Sequence, residues 1–346
     1  MLQNKNSIGD AGVIIEIDEK LLNIERLWRD MKHWVKRPGI KAGYYVFCNS
    51  RMGTSGKSTA PSLPSCSIFA VHGLILEAMK CPKCDGECRR DDNINSFRCD
   101  KTPPKNNRKV RCNFKKSLFK NTWFDNSKLD FETNLKFVNL YLRERFSYAS
   151  ARSEFNFPNR TICDWASFCR EVLIIWRFEN QSDKIGGSGE IVEIDESKFG
   201  KRKYNVGRVI EGQWVFGGVC RKSRDFFLVA VETRDTLLLK VIKERIHPGT
   251  TVISDCWKAY NCLEKEGYQH LTVNHSYNFV DPKSKAHTNT IERKWREAKI
   301  KVPRFGRRTY HFAGYLAKAI FQIMYPAENK RFHQFLLAAA RLYPPH

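Results

Sequence analysis

Three carboxylates stand out by their positions. Asp195 sits in EIVEIDESKF, Asp255 closes TTVISD, and Glu292 opens the charged run after TI in TIERKWREAK; 60 positions separate the first two and 37 the last two. Hard oxygen ligands of this kind suit Mg²⁺ or Mn²⁺, and Mg²⁺ keeps several waters while taking one or two carboxylates. Two such ions about 3.5–4 Å apart activate a water or a 3′-hydroxyl and stabilise the leaving oxygen, which is phosphodiester chemistry. Each carboxylate also has a plainer role when taken singly. Asp195 is one charge in an acidic run, and Asp255 suits the N-cap of a helix beginning at Cys256. Glu292 falls three places after Asn289, the spacing of a capping box.

The three make one site only if the fold gathers them. After Gly186-Gly187-Ser188-Gly189 the pattern turns to strands: Val192 and Ile194 alternate with Glu193 and Asp195, the period of a half-buried strand. EGQWVFGGVCRK and DFFLVAVETR follow as two more strands, and TRDTLLLKVIKERIHPG reads as a helix stopped at Pro248-Gly249. TTVISD is then a buried strand, QHLTVNHS a fifth, and a helix from about Thr288 carries Glu292. Three strands, a helix, a strand, a helix and another strand is the order of an α/β, ribonuclease H-like core with a mixed five-stranded sheet. There, acidic residues at the end of the first strand, after the fourth and on a later helix meet at one edge. On the last helix Ile291, Trp295, Ala298 and Val302 form an apolar stripe, while Glu292, Arg296 and Lys299 share another face suited to DNA phosphates.

Upstream, the cysteines carry the signal. Cys81 and Cys84 form CPKC, with Cys99 and Cys112 beyond, and four thiolates suit tetrahedral Zn²⁺. The second pair is not a CxxC, and Cys88 is an alternative fourth ligand. From Arg98 to Lys120 there are nine basic residues and one acidic one, so Arg111, Lys115 and Lys116 are candidate phosphate contacts. A short apolar helix is expected over 67–80. Between 131 and 178 helical spacing returns, broken at Phe157-Pro158-Asn159, and Thr161 to Leu173 is the candidate recognition helix of a helix-turn-helix. Plain packing of paired helices is the competing reading.

The boundaries that follow are 1–66, 67–125 for the zinc-binding basic module, 126–185 for the helical DNA-binding region and 186–346 for the catalytic domain. Residues 1–66 hold a second, squeezed copy of two motifs, IIEIDE and IERLWRDMK, before a Ser/Gly/Pro-rich linker. With no sheet between the two motifs, this reads as a degenerate fragment rather than a second site. A formal charge of +23 favours a polyanionic partner, double-stranded DNA above all. No apolar run reaches the about 18 residues of a membrane span, and the start lacks signal-peptide order. Twelve cysteines suit a reducing compartment, cytosol or nucleus.

IVEIDESKFGKRK, VISDCWKAY and NHSYNFVDPKSKAHTNTIERKWREAK, with the tail RFHQFLLAAARLYPP, closely resemble Merlin-type DDE transposases, eukaryotic cut-and-paste elements related to a bacterial insertion-sequence family. The resemblance runs from about Cys81 to the C-terminus. It implies Asp195, Asp255 and Glu292 as a DDE triad with Mg²⁺ or Mn²⁺, and a zinc-binding, DNA-binding N-terminal part. It also implies cleavage at element ends and transfer of 3′-hydroxyl ends into target DNA. His275, His287 and Asn289 lie within the matched stretch, as supports for substrate or metal or as structural groups. A homo-oligomer on DNA, in the nucleus, is expected. A domesticated, non-catalytic DNA-binding protein is the alternative, and a nuclease without strand transfer a third reading.

Overall fold

The computed structural model describes residues 72–346 apart from 93, 103, 106–107, 110, 181–183, 201–211, 232–237, 256–259, 275–279, 283–284 and 304–307. The motif copy in 1–66 and His275 therefore lie outside the described residues. The described chain falls into two compact units, one spanning 177–324 and the other 72–176 with 325–346. The tail 325–346, expected at the end of the catalytic domain, thus belongs with the N-terminal unit.

In the N-terminal unit the strands are short: β1 (Arg89–Asp91), β2 (Ser96–Arg98), β3 (Pro104–Lys105), β4 (Arg108–Lys109) and β5 (Lys115–Ser117). β1, β2 and β5 form an antiparallel sheet and β3 pairs with β4. The helix expected over 67–80 is not found in its described part, where 72–80 runs as turns and bends into a bridge between Lys80 and Glu87. The reason is local: Gly73 has φ +70, a left-handed conformation that a right-handed helix does not admit.

Three helices follow, α1 (Phe131–Leu142), α2 (Tyr148–Phe155) and α3 (Asn159–Glu179). Asp130 caps α1, Ser147 and Ser150 form a reciprocal box at the start of α2, and Asn156 ends it in the left-handed region at φ 53. The break before Pro158 is thus where the sequence put it. α3 is longer than the Thr161–Leu173 expected and buries Ile162, Trp165, Ala166, Cys169, Val172, Leu173 and Trp176. No residue of 161–177 is fully exposed, so packing accounts for the middle of α3, and its exposed residues Asn159, Arg160, Phe178 and Glu179 lie at the two ends.

The last helix, α7 (Glu328–Leu342), packs on α1. Trp123 stands edge-on to both Trp165 and Phe335. Arg331 is 1% exposed and gives its guanidinium to three carbonyls, those of Tyr325 at 3.0 Å, Leu142 at 2.8 Å and Pro326 at 2.9 Å. One side chain thereby closes the end of α1 and fixes the approach to α7.

The second unit is built on one sheet of β6 (Ile191–Phe199), β7 (Gln213–Cys220), β8 (Phe226–Val231), β9 (Thr251–Asp255) and β10 (Gln269–Val273), in the order β10-β9-β6-β7-β8. β7 runs antiparallel to β6 and β8, while β9 is parallel to both β6 and β10. α4 (Leu238–Arg245) covers one face, its Leu238, Val241 and Ile242 joining Val192, Ile194, Phe216 and Val252 in one core. α5 (Asn289–Lys301) and α6 (Phe312–Met324) pack on the sheet from the other elements' side chains, α5 on β6 and β7, α6 on β8 and α5. The expected order of strands and helices is present with one change. Between β9 and β10 the described residues hold only a 3₁₀ turn, Glu264–Glu266. No helix of the described residues is long and apolar enough to cross a membrane.

Arg331→Met should lower stability by about 3 kcal/mol, since three carbonyls lose their charged donor inside the protein. Urea unfolding measures this; a loss below about 0.5 kcal/mol would show that water replaces the guanidinium without cost.

Candidate active site and cysteine centre

Period-two alternation divides β6 between two environments. Val192 and Ile194 enter the core with α4. Glu193, Asp195 and Phe199 meet α5 instead: Glu193 bonds Thr290, Asp195 bonds Trp295, and the Phe199 ring lies 6.0 Å from that of Trp295. The parallel register pairs Ile191 with Thr251, Val192 with Val252 and Glu193 with Ile253. Two residues further, the same register sets Asp195 beside Asp255.

Glu193 is wholly buried and fully engaged. Its oxygens accept from the Thr290 amide at 2.7 Å, the Thr290 hydroxyl at 2.8 Å, the Ile291 amide at 3.0 Å and Arg221 Nε at 2.6 Å. His287 Nδ1 lies 3.4 Å away, and Arg221 also holds the His287 carbonyl. A strand carboxylate therefore takes the amides that the first turn of α5 leaves unpaired, where the helix dipole favours a negative charge. This overturns the capping-box reading of Glu292. Thr288 is the N-cap and makes no side-chain capping bond, and its hydroxyl meets Glu292 Oε1 at 3.5 Å instead.

Asp195 is held by Trp295, whose Nε1–H donates to Oδ2 at 2.9 Å. The indole reaches it by crossing β7 at Gly217, the antiparallel partner of Asp195. A Cβ at Gly217 would stand 2.8 Å from Trp295 Cη2, so this position needs glycine for space. Burial pushes the Asp195 carboxyl up from 3.8 to about 6, against the pull of the Trp295 and Glu196 donors, with the charges of Asp255 and Glu292 adding to the rise.

Oxygens of Asp195, Glu196 and Asp255 all lie within 4.8 Å of one another. Three hard donors converging this closely fit a divalent cation. Glu292 acts on Asp195 through its charge but is not one of that close group. Asn289 and Arg296 are exposed on α5. Lys299 sets its ammonium 5.6 Å over the Phe199 ring, and its charge and that of Asp195 act on each other. His287 joins the Glu193 cluster through its carbonyl, which accepts from Arg221, with its ring Nδ1 3.4 Å from Glu193. Sequence reasoning did not single out Glu193, Glu196, Arg221 or Tyr260. The first was within reach, because it shares the strand face of Asp195; Tyr260 gives no signal before the fold is known.

In the N-terminal unit Cys81, Cys84, Cys99 and Cys112 bring their sulfurs within 4.8 Å of one another, and none is in a disulfide. Cys81 and Cys112 are 3.6 Å apart, Cys84 and Cys99 3.4 Å. A tetrahedron of Zn–S bonds near 2.3 Å has edges of about 3.8 Å, so the four fit zinc. Burial opposes ionisation of Cys81, but the Lys83 and Cys84 amides and the neighbouring thiols outweigh it and bring the thiol down to about 7. Cys88 packs against this cluster without joining it. Arg111 and Lys115 are exposed, whereas Lys116 donates to the His346 carbonyl.

Residues 187–323 match the family model described as the ISXO2-like transposase domain. A Haemophilus influenzae protein described as an uncharacterized transposase-like protein is 28% identical over 96 residues, 28% of this chain and 76% of its own length. A chain from the cryoEM structure of the simian T-cell lymphotropic virus intasome in complex with PP2A regulatory subunit B56 gamma overlaps 44% of this chain and 59% of its own, at 16% identity and a TM-score of 0.23. At that score the likeness carries no argument. The two sequence matches support a transposase.

Two outcomes are expected here. Glu193→Ala should cost about 3 kcal/mol in urea unfolding by stranding Arg221 and the first amides of α5; a loss under about 0.5 kcal/mol would refute the clamp. Purified protein should carry one zinc per chain by elemental analysis, released by Cys84→Ser with local unfolding of the module. A metal content near zero would exclude the centre.

Proposed function

We propose that this chain is a metal-dependent DNA transposase of the Merlin type, with Asp195, Asp255 and Glu292 as its catalytic carboxylates. The observation that carries the reading is the parallel register of β6 and β9, which sets Asp195 beside Asp255 under a helix whose first turn, bearing Glu292, is bound to the same strand through Glu193. The reaction is cleavage at element ends followed by transfer of the 3′-hydroxyl ends into target DNA. Divalent ions, when bound, supply the activated oxygen nucleophile and charge stabilisation at the leaving oxygen.

The chain's own residues do the rest. Asp195 and Asp255 present the hard oxygens, and Trp295 fixes the Asp195 carboxylate in one orientation. Arg296 and Lys299 follow Glu292 along α5 and place positive charge where phosphates must pass. The Cys81, Cys84, Cys99 and Cys112 module, with Arg111 and Lys115, grips the DNA backbone and positions it without reading sequence. Because two ends must be joined to one target, the working form is a homo-oligomer on DNA, acting in the nucleus.

Asp195→Ala, Asp255→Ala and Glu292→Ala should each slow cutting of end-containing DNA by about 10³-fold or more with Mg²⁺ or Mn²⁺, while gel-shift affinity stays within a few-fold. A Glu292→Ala protein that cuts at wild-type speed would remove that residue from the triad. The Asp195 shift adds a pH test. Its folded pKa of about 6 lies above the ordinary 3.8, so the folded state holds this proton more tightly than the unfolded one. The metal-free protein then gains stability from this group as pH falls from above 6 towards 4. Metal needs the ionised form, so the Tm rise caused by Mn²⁺ should shrink below about pH 6. A rise that is equal at pH 5 and pH 7.5 would count against Asp195 as a ligand.

A further inference from the structure

Glu196 is 9% exposed and brings the third carboxylate to the group formed with Asp195 and Asp255. Successive strand residues point to opposite faces, so Asp195 and Glu196 reach one point from the two sides of β6. Asp195 arrives from the α5 face, held by Trp295. Glu196 arrives from the core face, where the Tyr260 hydroxyl donates to its Oε1. Tyr260 is itself 1% exposed and packed in the core with Val192, Ile194 and Val252, so its hydroxyl has a fixed position.

Three hard carboxylate oxygens that converge within 4.8 Å of one another are the kind of donor set a divalent cation takes. We propose, resting on the metal site argued above, that Glu196 is a further ligand of the divalent ion held by Asp195 and Asp255, and that Tyr260 is the positioning residue that aims its carboxylate. The arrangement resembles the outer shells of metal sites generally, in which a hydrogen-bonded partner fixes the orientation of a ligand. It also gives Tyr260 a task beyond filling the core. The competing account is that Glu196 merely satisfies a core tyrosine. The two differ for Glu196→Gln, which keeps volume and an acceptor oxygen for Tyr260 and removes only the charge.

The test is a titration of the zinc-replete, full-length protein with Mn²⁺, free Mn²⁺ being read by electron paramagnetic resonance. Glu196→Gln should weaken Mn²⁺ binding at least tenfold and Tyr260→Phe about tenfold. The double variant should be no weaker than Glu196→Gln alone, because the tyrosine acts through the carboxylate. Asp195→Asn and Asp255→Asn serve as references that should abolish binding. If both references lose Mn²⁺ while Glu196→Gln and Tyr260→Phe stay within twofold of the parent, Glu196 is a core acceptor only and the proposal fails with the metal site intact. If the references also keep full affinity, the metal site and the proposal fall together. Should Glu196→Gln not fold, Tyr260→Phe, which loses one hydroxyl, decides by the same measure.

Discussion

A buried charge that must find partners organises the unit built on the five-stranded sheet. Glu193 has no exposure, and an isolated carboxylate in that position would be too costly to keep ionised. It is compensated by one cation, one hydroxyl and two helix amides, and the last two tie β6 to α5 at a single register. Everything else on α5 inherits that register. Trp295 comes to Asp195, Glu292 comes within electrostatic reach of it, and the Phe199 ring meets both Trp295 and Phe312.

Two residues along the same strand face, the opposite policy holds. Glu193 is saturated with donors, whereas Asp195 has an indole N–H and a backbone amide set against burial and two like charges, and its carboxyl rises to about 6. One carboxylate is stabilised to hold geometry, and the other is left with capacity for a cation. The departure from full local satisfaction falls where the chemistry is proposed, as expected of a site that trades stability for function.

Much of this was legible beforehand because the signals are periodic. The alternation over 191–199 and the stripe Ile291, Trp295, Ala298 on α5 each follow from a repeat of two or of 3.6 residues. The Cys81 and Cys84 knuckle was legible for a different reason: two ligands on one tight turn have a fixed spacing. What stayed hidden depends on contacts across long stretches of chain. Glu193 looks like surface charge until Thr290, 97 positions away, is known to sit over it. Glu196 and Tyr260 meet across 64 positions, and nothing local marks either. The apolar spacing that suggested a helix near Leu74 and Ile75 lost to one backbone conformation at Gly73. In α3 the sequence left a recognition helix and plain packing as alternatives, because burial of its faces depends on neighbours that no single helix reveals.

The tail held by Arg331 makes the sheet-bearing unit an insertion. The N-terminal unit begins before residue 177, is interrupted, and resumes only after residue 324. During synthesis the chain emerges from its N-terminal end, so the inserted sheet can be complete while its host still lacks α7. The cysteine-bearing unit, although first in sequence, is closed only after the sheet unit is complete. A chain cut after residue 324 therefore leaves the cysteine-bearing unit unclosed while the sheet is whole.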